Sequence, residues 1–168
     1  FWAFTDDYVE LVKDRAYGGH GEAEQASVVA ALATTLDSLL RLLAPFQPFA
    51  TEEVWSWWRT GSVHRAPWPG LESEAAGLRA AAEGGDPQVL AVVAQVLGRV
   101  RKAKSEAKVK QRTQVRTATV RAAAAQLDAL RGGLADLKGA GNVADVTLTE
   151  ADGELEVTDI ELAPAEEA

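Results

Sequence analysis

The chain has 168 residues, 47% of them hydrophobic and 25% charged, which provides apolar material for a core and lies far from the composition of a disordered segment. It contains no cysteine, excluding a disulfide framework, a thiolate zinc site and a cysteine nucleophile. Its net charge of -8 argues against nucleic acid as a partner, because phosphate binding depends on lysine and arginine releasing counterions.

The sequence has no methionine and opens on Phe1, Trp2 and Phe4 without a basic segment or cleavage pattern, so it reads as a piece of a longer protein. Phe1, Phe4, Tyr8 and Leu11, with Val9 and Val12 beside them, mark an amphipathic helix that Gly18 and Gly19 stop. From about Glu22, Val28, Val29, Leu32, Leu36, Leu39, Leu40 and Leu43 predict a longer helix with a wide buried face, ended by Pro45. Charges interrupt the apolar stretches before about 18 residues, so no membrane-spanning segment is expected. Pro48 precedes Thr51, Glu52 and Glu53, where a threonine cap and two carboxylates favour a short helix carrying Trp55, Trp57 and Trp58 and closed by Gly61. Residues Ser62 to Pro69 have no helical period, and Gly70 to Pro87 read as a weak helix and a connector, with a domain boundary at its end.

Beyond the connector, Val89, Val93, Val96, Val100 and Ala103 recur at steps of four and three, predicting a helix with one narrow buried seam and Arg101, Lys104 and Lys108 on an outer face. The β-branched residues between Gln114 and Ala122 favour a strand. Leu127, Leu130, Leu134 and Leu137 return to helical spacing, weakened by Gly132 and Gly133. Val146 and Leu148, an Asp152-Gly153 turn, then Leu155 and Val157 predict a β-hairpin. A bulge at Thr158 or Asp159 keeps Ile160 and Leu162 on the apolar face. The expected architecture is mainly α: a helical domain over 1–87, a small α/β appendage of order α-β-α-β-β over 88–162, and a disordered tail over 163–168.

Catalytic signatures are absent: there is no phosphate loop, no nucleophile elbow and no paired histidines, and His20 and His64 read as surface or loop residues rather than metal ligands. A solvated helix face explains Asp6 and Asp7 more cheaply than acid–base catalysis. Trp55 and Trp58 are expected in the core, whereas Trp57 is open to base stacking. The functional signal lies between Arg99 and Arg116, where eight basic residues (Arg99, Arg101, Lys102, Lys104, Lys108, Lys110, Arg112 and Arg116) meet one acid, Glu106. That local balance of +7 leaves -15 for the remainder. A purely structural helix would relieve such repulsion with interleaved glutamates, so phosphate contact stands level with a solvated face.

Three blocks then carry a family resemblance: Phe1-Trp2-Ala3-Phe4-Thr5-Asp6-Asp7-Tyr8-Val9-Glu10-Leu11-Val12-Lys13, Ala44-Pro45-Phe46-Gln47-Pro48-Phe49-Ala50-Thr51-Glu52-Glu53-Val54-Trp55 and Ser62-Val63-His64-Arg65-Ala66-Pro67-Trp68-Pro69. In order and spacing they resemble the C-terminal region of class I valyl-tRNA synthetases, and Val100 to Val109 is similar to the family's helix after the anticodon bundle. The resemblance implies a truncated helical anticodon-binding bundle, begun upstream of Phe1, and an enzyme that attaches valine to tRNA with ATP and magnesium in the cytoplasm. The family's His-Ile-Gly-His-type and Lys-Met-Ser-Lys-Ser-type motifs and its editing domain are not in this sequence. No catalytic residue carries over, no cofactor is implied for this piece, and the piece alone is expected to be inactive. Many members end in a coiled-coil arm, whereas this sequence ends in an acidic tail without sustained heptads.

The resemblance implies as partners valine tRNA and the catalytic domain of the parent enzyme. The expected tRNA-binding set is Arg99, Arg101, Lys102, Lys104, Lys108, Lys110, Arg112 and Trp57, in a monomer able to associate through the truncated helix edge. The alternatives are a structural module that docks another protein domain and the corresponding region of an isoleucyl or leucyl enzyme.

Overall fold

A computed structural model describes residues 2–69 and 83–164; Phe1, the weak helix expected near residues 70–82 and the tail from 165 lie outside that description. The chain divides into two compact units, Phe1–Gly21 with Asp86–Ala168, and Glu22–Gly85. The opening helix, grouped on sequence grounds with the helices that follow it, folds instead with the residues after Asp86.

In the first unit a π-helical turn, Ala3–Tyr8, runs into α1, Val9–Leu11, and α2, Lys13–Ala16. Two contacts explain its placement. Leu11 is buried in one cluster with Val92, Val93, Val96 and Leu97. Arg15 grips Asp136 with both ends of its guanidinium, Nε at 2.7 Å from Oδ1 and a terminal nitrogen donating to Oδ2 at 2.8 Å.

Helix α5, which spans Gln88–Glu106, is the wall of this unit. Val93, Val96 and Val100 are buried as expected; Val92 and Leu97 widen the seam to a broad face, while Val89 and Ala103 are half-buried. Strand β1, Val115–Ala122, is followed by helices α6, Ala124–Gly132, and α7, Leu134–Gly141, then by β2, Val143–Glu150, and β3, Glu156–Leu162. The single helix expected over Leu127 to Leu137 is thus two.

Their junction needs glycine for space. A Cβ on Gly133 would stand 2.6 Å from Val93 Cγ2 and 3.1 Å from Val89 Cγ1.

The three strands are ordered β2-β1-β3, with β1 parallel to β2 and antiparallel to β3. This corrects the expected hairpin: β2 and β3 flank β1 and do not pair with each other. The alternation of Val146, Leu148, Val157, Ile160 and Leu162 is nevertheless obeyed, since all pack against the core clusters. Leu155, 1% exposed, anchors the connection in the core as the chain crosses to the far edge of β1. The register slips between Thr117↔Glu161 and Thr119↔Thr158, and Asp159 takes φ 50°, so the phase change falls where a bulge was expected.

The second unit contains α3, Glu22–Leu43, α4, Pro48–Ser56, and a 3-10 turn, Val63–Arg65. Leu40, Ala44, Trp55 and Val63 form its core. On α3 only Val28, Asp37 and Leu40 are buried, so the wide buried face expected there is corrected; Val29, Leu36, Leu42 and Leu43 are exposed. Helix α3 is also long and apolar enough to cross a membrane by length and composition, with mean hydropathy 1.5 over an 18-residue window, although Asp37 breaks its apolar run as expected. Its buried Asp37 is nevertheless paired with Arg41 on the same helix and with Arg59, at 2.9 Å, beyond α4. Helix α4 begins at Pro48 rather than at a Thr51 cap: proline fits the first helical position, where no N–H partner is needed, and Thr51 Oγ1 donates back to the Gln47 carbonyl at 2.9 Å. It ends at Ser56, leaving Trp57 and Trp58 beyond its last turn.

Gly133→Ala should destabilise the first unit by about 1–3 kcal/mol, because Val93, buried in the core, and Val89, packed against it, are β-branched and have little room to swing aside. Urea unfolding read by circular dichroism measures it; an unchanged midpoint would show that the junction has slack.

Candidate nucleic-acid interface

The basic segment divides into a helical part on α5 and a turn that leads into β1. On α5 the outward face carries Arg99 and Lys102, both exposed, and the half-buried Arg101. Arg101 lies 3.8 Å from Glu10 Oε2 and Lys102 3.8 Å from Glu106 Oε1, loose pairs that leave the guanidinium and ammonium available to solvent. In the turn, Lys108, Lys110 and Arg112 are exposed and have no ion-pair partner among the described residues. Arg116 follows, exposed on β1.

Lys104 does not belong to this set, although its charge and neighbours place it there on sequence grounds. It follows Val100 by four residues, continues the inward stripe and is 1% exposed. Its Nζ donates to the Gly141 carbonyl at the end of α7 at 2.6 Å and to the Gln111 carbonyl in the turn at 2.9 Å. Both acceptors are main-chain oxygens, and a carbonyl at a helix C-terminus suits a cation. Burial pushes the ammonium below the ordinary lysine value, and the nearby Arg101 charge pushes it the same way.

The turn itself is held at several points. Val109 N–H donates to the Lys104 carbonyl at 3.1 Å and Lys108 N–H to that of Ser105 at 3.0 Å, closing α5 with Lys108 in the left-handed region at φ 56°. Gln111 Nε2 reaches the Arg101 carbonyl at 3.3 Å and Ser105 Oγ at 3.1 Å. From the far side, Asn142 Nδ2 donates to the Arg112 carbonyl at 2.7 Å. Neither Gln111 nor Asn142 was visible as a site residue from sequence. The one available signal was Asn142 itself, an asparagine just past a helix, where a left-handed C-terminal stop is common.

The remaining expected residue, Trp57, lies in the second unit. It is 70% exposed, and its Nε1 donates to Glu53 Oε1 at 3.1 Å, leaving a ring face open. Trp55 is buried as expected; Trp58 is 39% exposed, beneath the Arg59 guanidinium 4.8 Å from its ring centre, and is corrected from a core residue to a half-open one. His20 is bonded to Asp14 at 2.9 Å, and exposed His64 lies 3.2 Å from the Pro48 carbonyl.

With an exposed basic turn on one unit and an open tryptophan on the other, the chain carries the two residue types that RNA recognition draws on. The chain belongs to the family described as the anticodon-binding domain of tRNA ligase, whose model matches residues 1–119. It is similar to the valine–tRNA ligase of Thermobifida fusca, 53% identical over 167 residues that make up 99% of this chain and 18% of that protein. The valine–tRNA ligase of Salinispora arenicola is 47% identical over 163 residues, 90% of this chain and 19% of that protein. That of Leifsonia xyli is 42% identical over 168 residues, 99% and 19% respectively. The chain therefore spans 18–19% of the length of these relatives.

The lowered Lys104 value makes a pH prediction. The unfolded chain keeps this proton at pH values where the folded chain has released it, so stability rises with pH between the lowered value and the ordinary lysine value. Across that alkaline window, the stability difference between wild type and Lys104→Met should move in favour of wild type in urea titrations at stepped pH. A constant difference would show that the buried ammonium keeps its ordinary affinity for the proton.

Proposed function

We propose that this chain is the anticodon-arm-binding region of a valine–tRNA ligase. The attachment of valine with ATP and magnesium belongs to other parts of that enzyme. The single observation that carries the RNA reading is the turn of Lys108, Lys110 and Arg112: three solvent-facing cations with no carboxylate partner among the described residues, in a chain of net charge -8. Arg99 and Lys102 add exposed positive charge along α5, and the half-buried Arg101 adds charge on the flank beside Glu10. Phosphates supply affinity and register at such a surface but carry no sequence information. Discrimination would fall to unstacked anticodon bases, for which Trp57 offers an open ring. The similarity to three valine–tRNA ligases supports valine over isoleucine or leucine. Among the described residues no three His, Cys, Asp or Glu side chains converge on one point. No step of aminoacylation is assigned to these residues, and the chain alone is proposed not to aminoacylate.

A second reading, docking onto another protein domain, is favoured by the exposed Val29, Leu36, Leu42 and Leu43 of α3. It is compatible with the first, since the catalytic domain of the same enzyme is the proposed protein partner.

Fluorescence anisotropy with valine tRNA, a non-valine tRNA and an anticodon-substituted valine tRNA tests the reading. Binding should weaken with salt, and preference for valine tRNA should vanish on anticodon substitution. Reversing Lys108 and Lys110 to glutamate should weaken all three complexes alike and flatten the plot of log affinity against log salt by about 0.7–0.9 for each phosphate no longer neutralised. An unchanged slope would remove the turn from the interface, and salt-insensitive binding to protein alone would favour docking.

A further inference from the structure

We infer that Asn142, with Lys104 and Gln111, acts as a positioning residue that sets the basic turn in its RNA-binding shape before RNA arrives; this rests on the RNA reading above. Two polar ties end on consecutive main-chain carbonyls of the turn, and a third runs from a turn side chain back to α5. Lys104 holds the Gln111 carbonyl, Asn142 holds the Arg112 carbonyl, and the Gln111 side chain is fastened back to α5. Two of the ties lead to the end of α7, through the Gly141 carbonyl and through Asn142, so a segment remote in sequence fixes where Lys110 and Arg112 leave the backbone.

Main-chain pairing continues the anchorage. Val115 N–H donates to the Asn142 carbonyl at 2.9 Å, so the residue that holds Arg112 also begins the β1–β2 ladder. Asn142 sits at φ 48°, a conformation that asparagine tolerates and that presents its amide to the turn. Lys108 sits at φ 56°, where glycine would be the relaxed choice. A side chain kept in that conformation, facing solvent and without an ion-pair partner among the described residues, fits a role outside the fold.

Fixing the turn during folding lowers the cost of ordering its cations when phosphate binds. Loosening it should therefore weaken binding without removing a charge, a signature distinct from deleting a cation.

Asn142→Gly separates the two, because glycine accepts the same positive φ and carries no side-chain amide, and no charge is changed. The 168-residue chain and its variants are titrated with a valine tRNA transcript across salt concentrations, and amide hydrogen exchange is followed over residues 108–113. Asn142→Gly should speed exchange in the turn and weaken binding by about 3–10-fold at every salt concentration with the wild-type slope retained. Lys110→Ala should instead lower the slope by about 0.7–0.9. Unchanged exchange, wild-type affinity despite faster exchange, or a fall in slope like that of Lys110→Ala each overturns the positioning role. A wild-type chain with no salt dependence overturns the RNA reading itself, and is told apart because wild type and variant then fail together.

Discussion

The inward stripe of α5 runs Val93, Val96, Val100 and then Lys104, and the ammonium at its end must find acceptors because water cannot reach it. Two main-chain carbonyls supply them, one from the last turn of α7 and one from the turn that follows α5. A single side chain thereby links the helix that walls the core, the end of α7 and the loop that feeds the central strand. Replacing it with a shorter residue would leave the carbonyls of Gly141 and Gln111 in need of new donors. The arrangement also explains why the cations of this segment differ in kind: those on the outward side of α5 and in the turn are open to solvent, and the one on the inward stripe is a structural tie.

Periodic features were legible from the residues. The three-and-four spacing located α3 and α5, β-branched content located β1, and alternation chose the buried side of β2 and β3. What failed were inferences that treat neighbours in sequence as neighbours in space. Asp152-Gly153 suggested a local hairpin, but the exposed edge of β1 competes for β3 and wins, with Leu155 buried on the way across. Charge alone puts Lys104 with its exposed neighbours, yet helical phase decides where it points. Thr51 matched a capping pattern, while Pro48 took the first helical position. Asn142 contributes through its amide and left-handed backbone together, a combination that only the structure displays.

Charge is partitioned within the first unit. Basic residues are densest on α5 and the turn, whereas Asp145, Glu150, Asp152, Glu154, Glu156, Asp159 and Glu161 are exposed on β2, β3 and the connection between them, with Arg116 and Arg121 on the strand between and Lys138 3.7 Å from Asp145. A polyanion approaching this unit is drawn to one region and repelled from the other, so the net negative charge helps select an orientation. In the second unit opposite charges meet at close range around Asp37, Arg41 and Arg59, where they hold α3 to the segment beyond α4.

The strand order has a consequence for how the chain is made. Because β3 follows β2 in sequence yet, among the described residues, pairs with β1, the central strand keeps one unpaired edge until residues 156–162 have left the ribosome. An unpaired edge is a template for another chain, so a nascent protein halted after β2 would offer N–H and C=O groups that the finished fold covers. The acidic side chains of β3 that close this edge are synthesised after β1 and β2, and translation speed between β2 and β3 sets how long the edge stays open.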